Sequence, residues 1–325
     1  MAFRLKLVPD ETKFDFFRYQ VYTFGLSAVL MVLSVIVLLT MGLNFGIDFR
    51  GGTTIRTEST TAFDIGEYRS ALDGIEGIGD VSITEVFDPT FGEDRHVAQI
   101  RIGSVEDTEA MTPEQISDVE TALKEVDPNV TFAAVESVGP KVSGELIKTA
   151  VYAVLAASVG ILLYIWMRFE WQFAIGGVVA IIHDVLLTMG IFAALQLRFD
   201  LSTIAALLTI LGYSINDTVV VFDRLRENLI KYKTLPLIEV MNLSVNETLS
   251  RTVMTAVTTA IALTAMLVLG GDVIRGFVFA MLWGVIVGTY SSVYVAKNIV
   301  LWLGVNRDFS KPDPDALPEQ FRESP

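Results

Sequence analysis

Hydrophobic positions run through this chain in long unbroken blocks rather than in the alternations of a soluble protein. Apolar stretches cover residues 21–43, 147–166, 171–195, 201–222, 253–269 and 277–303. Each is long enough to cross the ~30 Å hydrocarbon core of a bilayer as a helix, so six transmembrane helices are expected. Between the first two the pattern changes. It reads as strand over 53–60, helix over 61–75, and strands over 80–87 and 96–102. A further helix opens at Thr112-Pro113-Glu114-Gln115 and runs to Val126, and a strand follows over 130–135. Thr112 is a side-chain cap, Pro113 suits the first helical position, and Glu114 gives an acidic first turn. The order βαββαβ predicts a small ferredoxin-like domain, a fold that hosts many functions and implies none by itself. The fold class expected is therefore an α-helical polytopic membrane protein with an inserted α+β ferredoxin-like extracytoplasmic domain. Its divisions are 1–20 (N-terminal segment), 21–43 (first span), 44–146 (inserted domain), 147–303 (spans two to six) and 304–325 (tail). The tail, with Pro312, Pro314 and Pro318 among charges, is expected to be disordered.

Basic residues set the expected orientation. Arg4, Lys6, Lys13 and Arg18 precede span one, Arg168 follows span two, and Arg224, Arg226, Lys231, Lys233 and Arg251 lie between spans four and five. The connections around 198–200 and 270–276 carry one basic residue each. An excess of Lys and Arg marks the cytoplasmic side, so both termini are expected in the cytoplasm, with the six spans in contact with lipid. The first apolar stretch exceeds a signal-peptide core and lacks a small-x-small cleavage site at Gly42-Leu43-Asn44, which predicts a retained span.

Composition then removes whole classes of chemistry. The net charge of -14 is concentrated between Asn44 and Glu145, with about 21 acidic against about 7 basic side chains. So acidic a domain argues against nucleic acid as a partner. The chain has no cysteine, and its histidines are His96 and His183, so disulfides, thiolate metal sites and zinc chemistry are not expected. No cofactor or metal is expected, and the chemistry points away from an enzyme. The segment Gly46-Ile47-Asp48-Phe49-Arg50-Gly51-Gly52-Thr53 reads as a turn into the first strand. It is not a phosphate loop, because the lysine and the following helix are missing.

Span four carries the sharpest signal. Leu211-Gly212-Tyr213-Ser214-Ile215-Asn216-Asp217-Thr218 interrupts an aliphatic helix with polar groups, a turn or two from its cytoplasmic end. A carboxylate in hydrocarbon costs about 3 kcal/mol or more, so such a residue faces the bundle interior or a wet cavity and marks an ion or proton path. A proton crossing the membrane potential delivers about 2.3 kcal/mol per 100 mV, enough over a few protons to bias a two-state change. Asp217 and Asn216 are thus the primary candidates, although a structural polar contact is the competing reading. His183 and Asp184 lie deep in span three, where an interhelical hydrogen bond competes with a proton relay. Arg251 opens span five at the level of Asp217. A guanidinium there favours an ionised carboxylate, while ordinary interfacial snorkelling explains it equally well. The hydroxyl stripe Thr252, Thr255, Thr258 and Thr259, and the stretch from Gly284 and Gly288 through Thr289, Tyr290, Ser291 and Ser292, read as close helix packing, with a proton path along the threonines as the competing reading.

Several of these segments together resemble the SecF family of protein-export membrane subunits, within the resistance-nodulation-division superfamily. They are residues 46–53 with Gly46, Asp48, Gly51 and Gly52, then Val138-Gly139-Pro140-Lys141-Val142, His183-Asp184, residues 212–218, Asp223-Arg224-Leu225-Arg226-Glu227-Asn228 and Ser250-Arg251-Thr252. The similarity runs over nearly the whole chain. It implies an auxiliary subunit that, with SecD, draws on the proton-motive force to help translocating polypeptides leave the SecYEG channel, with Asp217 and Arg251 at positions implicated in proton transport. Two positions depart from the pattern: Arg50, where many relatives have a smaller polar residue, and Phe222, where some have serine. A half-size efflux or lipid transporter subunit and a non-transporting scaffold are the alternatives. A domain of about 100 residues suits a lever or clamp better than the larger pocket-forming domains of efflux relatives.

Overall fold

The computed structural model describes residues 9, 12–75, 77–87, 95–104 and 111–305. Expectations that fall on Arg4, Lys6 and the tail beyond residue 305 lie outside the described residues. From the N-terminus, α1 (Gln20–Thr40) leads through the two-residue β1 (Asn44–Phe45) and the single-turn α2 (Ile47–Arg50) into the inserted domain. The domain comprises β2 (Gly52–Ser59), α3 (Ile65–Leu72), β3 (Val81–Glu85), β4 (His96–Gly103), α4 (Pro113–Val126) and β5 (Thr131–Val138). The chain continues as α5 (Pro140–Arg168), α6 (Trp171–Ala194), β6 (Arg198–Phe199), α7 (Leu201–Lys231), α8 (Leu237–Leu269) and α9 (Gly271–Ser291). A π-helical turn, Ser292–Ala296, joins α9 to α10 (Lys297–Leu303).

Among the described residues, 6 helices are long and apolar enough to cross a membrane, with α9 to α10 acting as one. Several outlast the apolar runs that reveal them. The fourth apolar run stops at Phe222, yet α7 continues to Lys231 because its polar end is tied by ion pairs from Arg224 to Glu227 and to Glu247 on α8, each 2.7 Å. Asp217 therefore lies mid-helix, not a turn or two from the end. Likewise α8 begins at Leu237, so Arg251 sits in the middle of a 33-residue helix rather than opening one. Residues 270–276, expected as a connection, are almost wholly helical, because α9 starts directly after Gly270. The turn expected over 46–53 contains α2.

The bundle packs around α6, α7 and the last helix, while α1, α5 and α8 leave most of their apolar surface outside. Helices association in lipid relies on close approach, which small residues permit. A Cβ at Gly284 would collide with Ile210, and one at Gly288 would stand 3.0 Å from Ser214 Cβ, so these two glycines let α9 lie against α7.

In the inserted domain, the strands follow the order β3-β4-β2-β5 with every neighbouring pair antiparallel. Helices α3 and α4 cover one face, burying Ile55, Tyr68, Leu72, Ile100, Val119 and Leu123 between them and the sheet. Asp64 caps α3, and Thr112 with Gln115 forms a reciprocal capping box on α4, as its sequence predicts. The uncovered face, including Thr54, Arg56 and Arg101, looks across a cavity of about 760 Å³ to Arg198, Asp272 and Phe279 of the bundle. Burial, followed by the charge of Arg198, pushes Arg101 down to about 10, with Asp200 opposing.

Where the chain enters and leaves this domain, the two glycine motifs meet. Gly51 and Gly52 have φ of +76° and +130°, backbone that side chains rarely adopt, and a Cβ on Gly52 would strike the Ile102 carbonyl. A Cβ on Gly51 would lie 3.3 Å from Val138 O and 3.4 Å from Pro140 N. Gly139 caps α5 and Pro140 occupies its first turn. Gly46 donates its N–H to Phe199 O (2.8 Å), and Asp48 Oδ2 accepts from Leu201 N (2.9 Å) at the start of α7. With β1 parallel to β6, the exit from α1 is thereby fastened to the α6–α7 connection.

One buried pair makes this domain sensitive to pH. Asp127 Oδ2 accepts from the Tyr68 hydroxyl (3.1 Å), and Oδ1 accepts from Thr61 Oγ1 (2.9 Å) and Asn129 N (3.0 Å). Burial works against the charged carboxyl, but the hydrogen bonds from Ser59, Asn129, Thr61 and Tyr68 outweigh it and hold Asp127 below its ordinary 3.8. Burial, and then the Asp127 charge, pushes the Tyr68 phenol upward. The Asp127 contribution to stability is complete above about pH 4 and is lost as pH falls through the lower folded value. The Tyr68 contribution is complete below about pH 10 and is lost as pH rises beyond it. Tyr68→Phe should remove the alkaline loss and cost about 1–2 kcal/mol at neutral pH, read by amide exchange of β2 and β4 in the intact chain.

Candidate functional site

The polar residues of spans three, four and six converge in the bundle centre. Asp184, fully buried on α6, takes hydrogen bonds at Oδ2 from Ser214 Oγ on α7 (2.5 Å) and Ser291 Oγ on α9 (2.9 Å). Its Oδ1 lies 3.1 Å from His183 Nδ1. Ser292 Oγ lies 2.8 Å from Thr218 Oγ1 and donates to Gly288 O (2.9 Å). One acid thus joins three helices, which is how a carboxylate persists among apolar side chains. Hydroxyl and small residues reach it because Gly288 brings α9 against α7.

Asp217 stands one turn beyond Ser214 on the buried face of α7, 3% exposed, and its Oδ2 has no hydrogen-bond partner among the described residues. Asn216 points to the exposed side of the helix, away from this cluster. Arg251 is exposed on α8 and forms no ion pair among the described residues, yet its charge acts on Asp217. It lines a cleft of about 480 Å³ with Tyr164, Arg168, Asp223 and Glu247. That cleft is edged by an Arg168–Asp223 pair (2.8 Å) and by Glu247, which accepts from Arg224 (2.7 Å) and Asn228 (2.6 Å). Asp217 is therefore a buried carboxyl with an unused acceptor, and Arg251 is an unpaired cation in a charged cleft close by.

Sequence reasoning placed His183 in an interhelical hydrogen bond or a relay. Its hydrogen bond is to the adjacent Asp184 on its own helix rather than to a neighbouring one, and Nε2 has no partner among the described residues. Contact with the last span is by stacking on Tyr290, 6.2 Å between ring centres. The interhelical bonds belong to Asp184. Ser214, part of the polar run of span four, and Ser291, read as a packing group, are its partners on the neighbouring helices, while Thr218 and Ser292 pair with each other beside it. The helical spacing of Ser214 and Thr218 around Asp217 is the signal that links them. Of the span-five threonines, two bond back to their own helix, Thr255 to Arg251 O (3.1 Å) and Thr258 to Met254 O (2.8 Å). Lys297, inside the last apolar run, escaped notice altogether although it is 1% exposed. A lone lysine within a span was the clue. Among the described residues, no group of acids and histidines is arranged to hold a metal ion.

The chain matches the family model "Protein export membrane protein SecD/SecF, C-terminal" over residues 118–306 and the "SecD/SecF GG Motif" over residues 36–62, which includes Gly51 and Gly52. It is 67% identical over 316 residues to a protein translocase subunit SecF of Cereibacter sphaeroides, covering 97% of each chain. It is 68% identical over 320 residues to the protein of that name in Rhodobacter capsulatus, covering 97% of this chain and 96% of the other. Among solved structures, SecDF from Thermus thermophilus, described as a translocon-associated membrane protein, aligns with a TM-score of 0.78 at 36% identity, over 91% of this chain and 39% of that one. A SecDF crystal structure in a super-membrane-facing form aligns with a TM-score of 0.68 at 37% identity, over 92% and 40%. This chain thus spans about two fifths of the SecDF chains but nearly the full length of the SecF relatives. With both motif regions and the whole six-helix frame matched, the chain belongs to the SecF family of multi-pass membrane subunits of the protein translocase.

Proposed function

We propose that this subunit works with SecD to couple the proton-motive force to late steps of protein translocation, acting on polypeptides that emerge from SecYEG. Proton occupancy of Asp217 shifts the packing of α7 against its neighbours, and the inserted domain transmits the change. The observation that carries this reading is Asp217 itself, a buried carboxyl with an unpaired oxygen in the middle of a spanning helix. Arg251 acts as the responsive cation, and His183 and Asp184 hold the adjoining hydroxyl network. Asn216, on the exposed side of α7, has a place at the contact with SecD. The unburied apolar faces of α1, α5 and α8 suit lipid and that same partner.

In this reading the membrane is the bacterial inner membrane, both termini are cytoplasmic, and the inserted domain is extracytoplasmic and ferredoxin-like. Its strand order and antiparallel pairing support the split βαβ arrangement. Gly46, Asp48, Gly51, Gly52, Gly139 and Pro140 form the joint between domain and bundle. Gly284 and Gly288 set the α7–α9 contact. No cofactor is needed for this work, and nothing in it is enzymatic.

The test uses membrane vesicles depleted of this chain and then resupplied with it alongside SecD. Release of a translocating reporter polypeptide should gain its stimulation by an imposed proton gradient only when the chain is present. Equal stimulation without it would rule out the coupling role. Restored release that ignores the gradient would favour a scaffold.

A further inference from the structure

Lys297 has no role in the account above, yet it is the most deeply buried cation described. It opens α10 at 1% exposure, and its Nζ has no hydrogen-bond partner among the described residues. An ammonium in such a place needs a substitute for water. Three aromatic rings supply it. Nζ lies 4.1 Å from the ring centre of Phe17, 5.0 Å from Phe16 and 5.6 Å from Tyr294. Ring faces carry partial negative charge and attract a cation most strongly where water is excluded. Two of the three rings come from the segment ahead of the first span, and the third from the π turn.

That segment is anchored independently of the lysine. Asn246 on α8 holds Phe14 at two points, accepting from its N–H and donating to its carbonyl, both at 2.8 Å. One turn earlier, Asn242 Oδ1 accepts from Phe16 N at 3.0 Å, and Thr12 Oγ1 donates to Asn246 O at 3.3 Å. Asp15 Oδ1 accepts from the N–H groups of Phe17 and Arg18, each 3.1 Å, turning the chain into α1. It is also the acidic side chain whose charge reaches Lys297. Residues 12–17 thus form a strap laid across α8 with two rings turned onto the last helix.

The lysine directly follows the π turn Ser292–Ala296, and a π turn holds an extra residue whose presence sets the rotation of everything after it. The same turn begins with Ser292, which pairs with Thr218, and adjoins Ser291, which bonds Asp184. We propose that residues 12–17 are an intramolecular clasp, closed on Lys297 by its aromatic cage, which holds the π turn so that Ser291 and Ser292 stay against Asp184 and Thr218. Lys297 is a positioning residue: it acts on the buried network through the turn and touches none of its atoms.

Two measurements on the full chain with SecD in native vesicles test the clasp, and neither depends on proton flux or export, so either can fail without the proposed function failing. The first is acylation of lysines by an amine-reactive reagent, read by mass spectrometry, with exposed Lys13 as internal standard. Lys297 should react at least about tenfold more slowly than Lys13. Phe17→Leu, which keeps bulk but removes the ring, should speed Lys297 about tenfold, and Phe17→Tyr should restore protection. The second exploits the absence of native cysteine. A Thr218→Cys, Ser292→Cys pair should cross-link readily; adding Lys297→Met should reduce the yield severalfold, and Lys297→Arg should recover it. Lys297 reacting as fast as Lys13 in the unaltered protein, or an undiminished cross-link with Lys297→Met, would overturn the clasp.

Discussion

Asp217→Asn is expected to reduce gradient-stimulated polypeptide release at least about tenfold while leaving assembly with SecD intact. The substitution preserves size and planarity, and Oδ2 has no hydrogen bond to lose, so α7 should pack as before. Asparagine cannot take up or release a proton. A proton crossing the membrane delivers about 2.3 kcal/mol per 100 mV, and about 1.4 kcal/mol already corresponds to a tenfold change in rate, so removing one carrier is more than sufficient. The check is the release rate of a reporter polypeptide with and without a protonophore, alongside co-purification with SecD. Retained stimulation in a protein that assembles normally would mean Asp217 is only a packing residue.

Asp184→Ala should produce the largest structural effect, a loss of about 2–3 kcal/mol in bundle stability. The carboxylate unites Ser214, Ser291 and His183; its removal takes the side-chain partner from Ser214 and His183 and leaves Ser291 only the Gly288 carbonyl, all in the buried centre of the bundle. Interhelical hydrogen bonds in membranes are individually worth about 0.6 kcal/mol and at most about 1.7, so the two from Ser214 and Ser291, with the bond to His183 within α6, set the scale. Asp184→Asn, which retains an acceptor, should cost less than half as much. Thermal unfolding of the detergent-solubilised chain measures the difference. An equal loss for both variants would show that charge, rather than the acceptor geometry, holds the network.

These two acids illustrate how far a sequence can be read. Asp217 and Asp184 were conspicuous because an acid in an apolar run is expensive, and that expense is local and visible. The six spans and the order of strands and helices were legible for the same reason: periodicity and caps such as Thr112 are written in neighbouring residues. What Asp184 binds was not legible. Its partners Ser214 and Ser291 lie 30 and 107 residues away, and only the close approach permitted by Gly288 brings them together.

The extensions of α7 and α8 were missed for a different reason. Hydropathy reports where a helix leaves hydrocarbon, not where it ends, and Arg224 with Glu247 prolongs both helices beyond that boundary. Arg251 consequently looked like the start of a span when it is the middle of a helix. The meeting of Gly51 with Val138 and Pro140 was equally hidden, since each motif reads as an ordinary turn alone. Lys297 was hidden by its neighbours: one lysine barely lowers the hydropathy of a long apolar run, and its aromatic cage comes from the opposite end of the chain.

Asp217 is expected to change its protonation as the subunit works. Infrared difference spectroscopy of the complex in vesicles, recorded as a proton gradient is imposed and collapsed, measures this at the carboxyl itself. A protonated-carboxyl band should respond reversibly to the gradient and be absent in Asp217→Asn. A gradient-dependent band that persists in Asp217→Asn, or no such band in the unaltered protein, would contradict it.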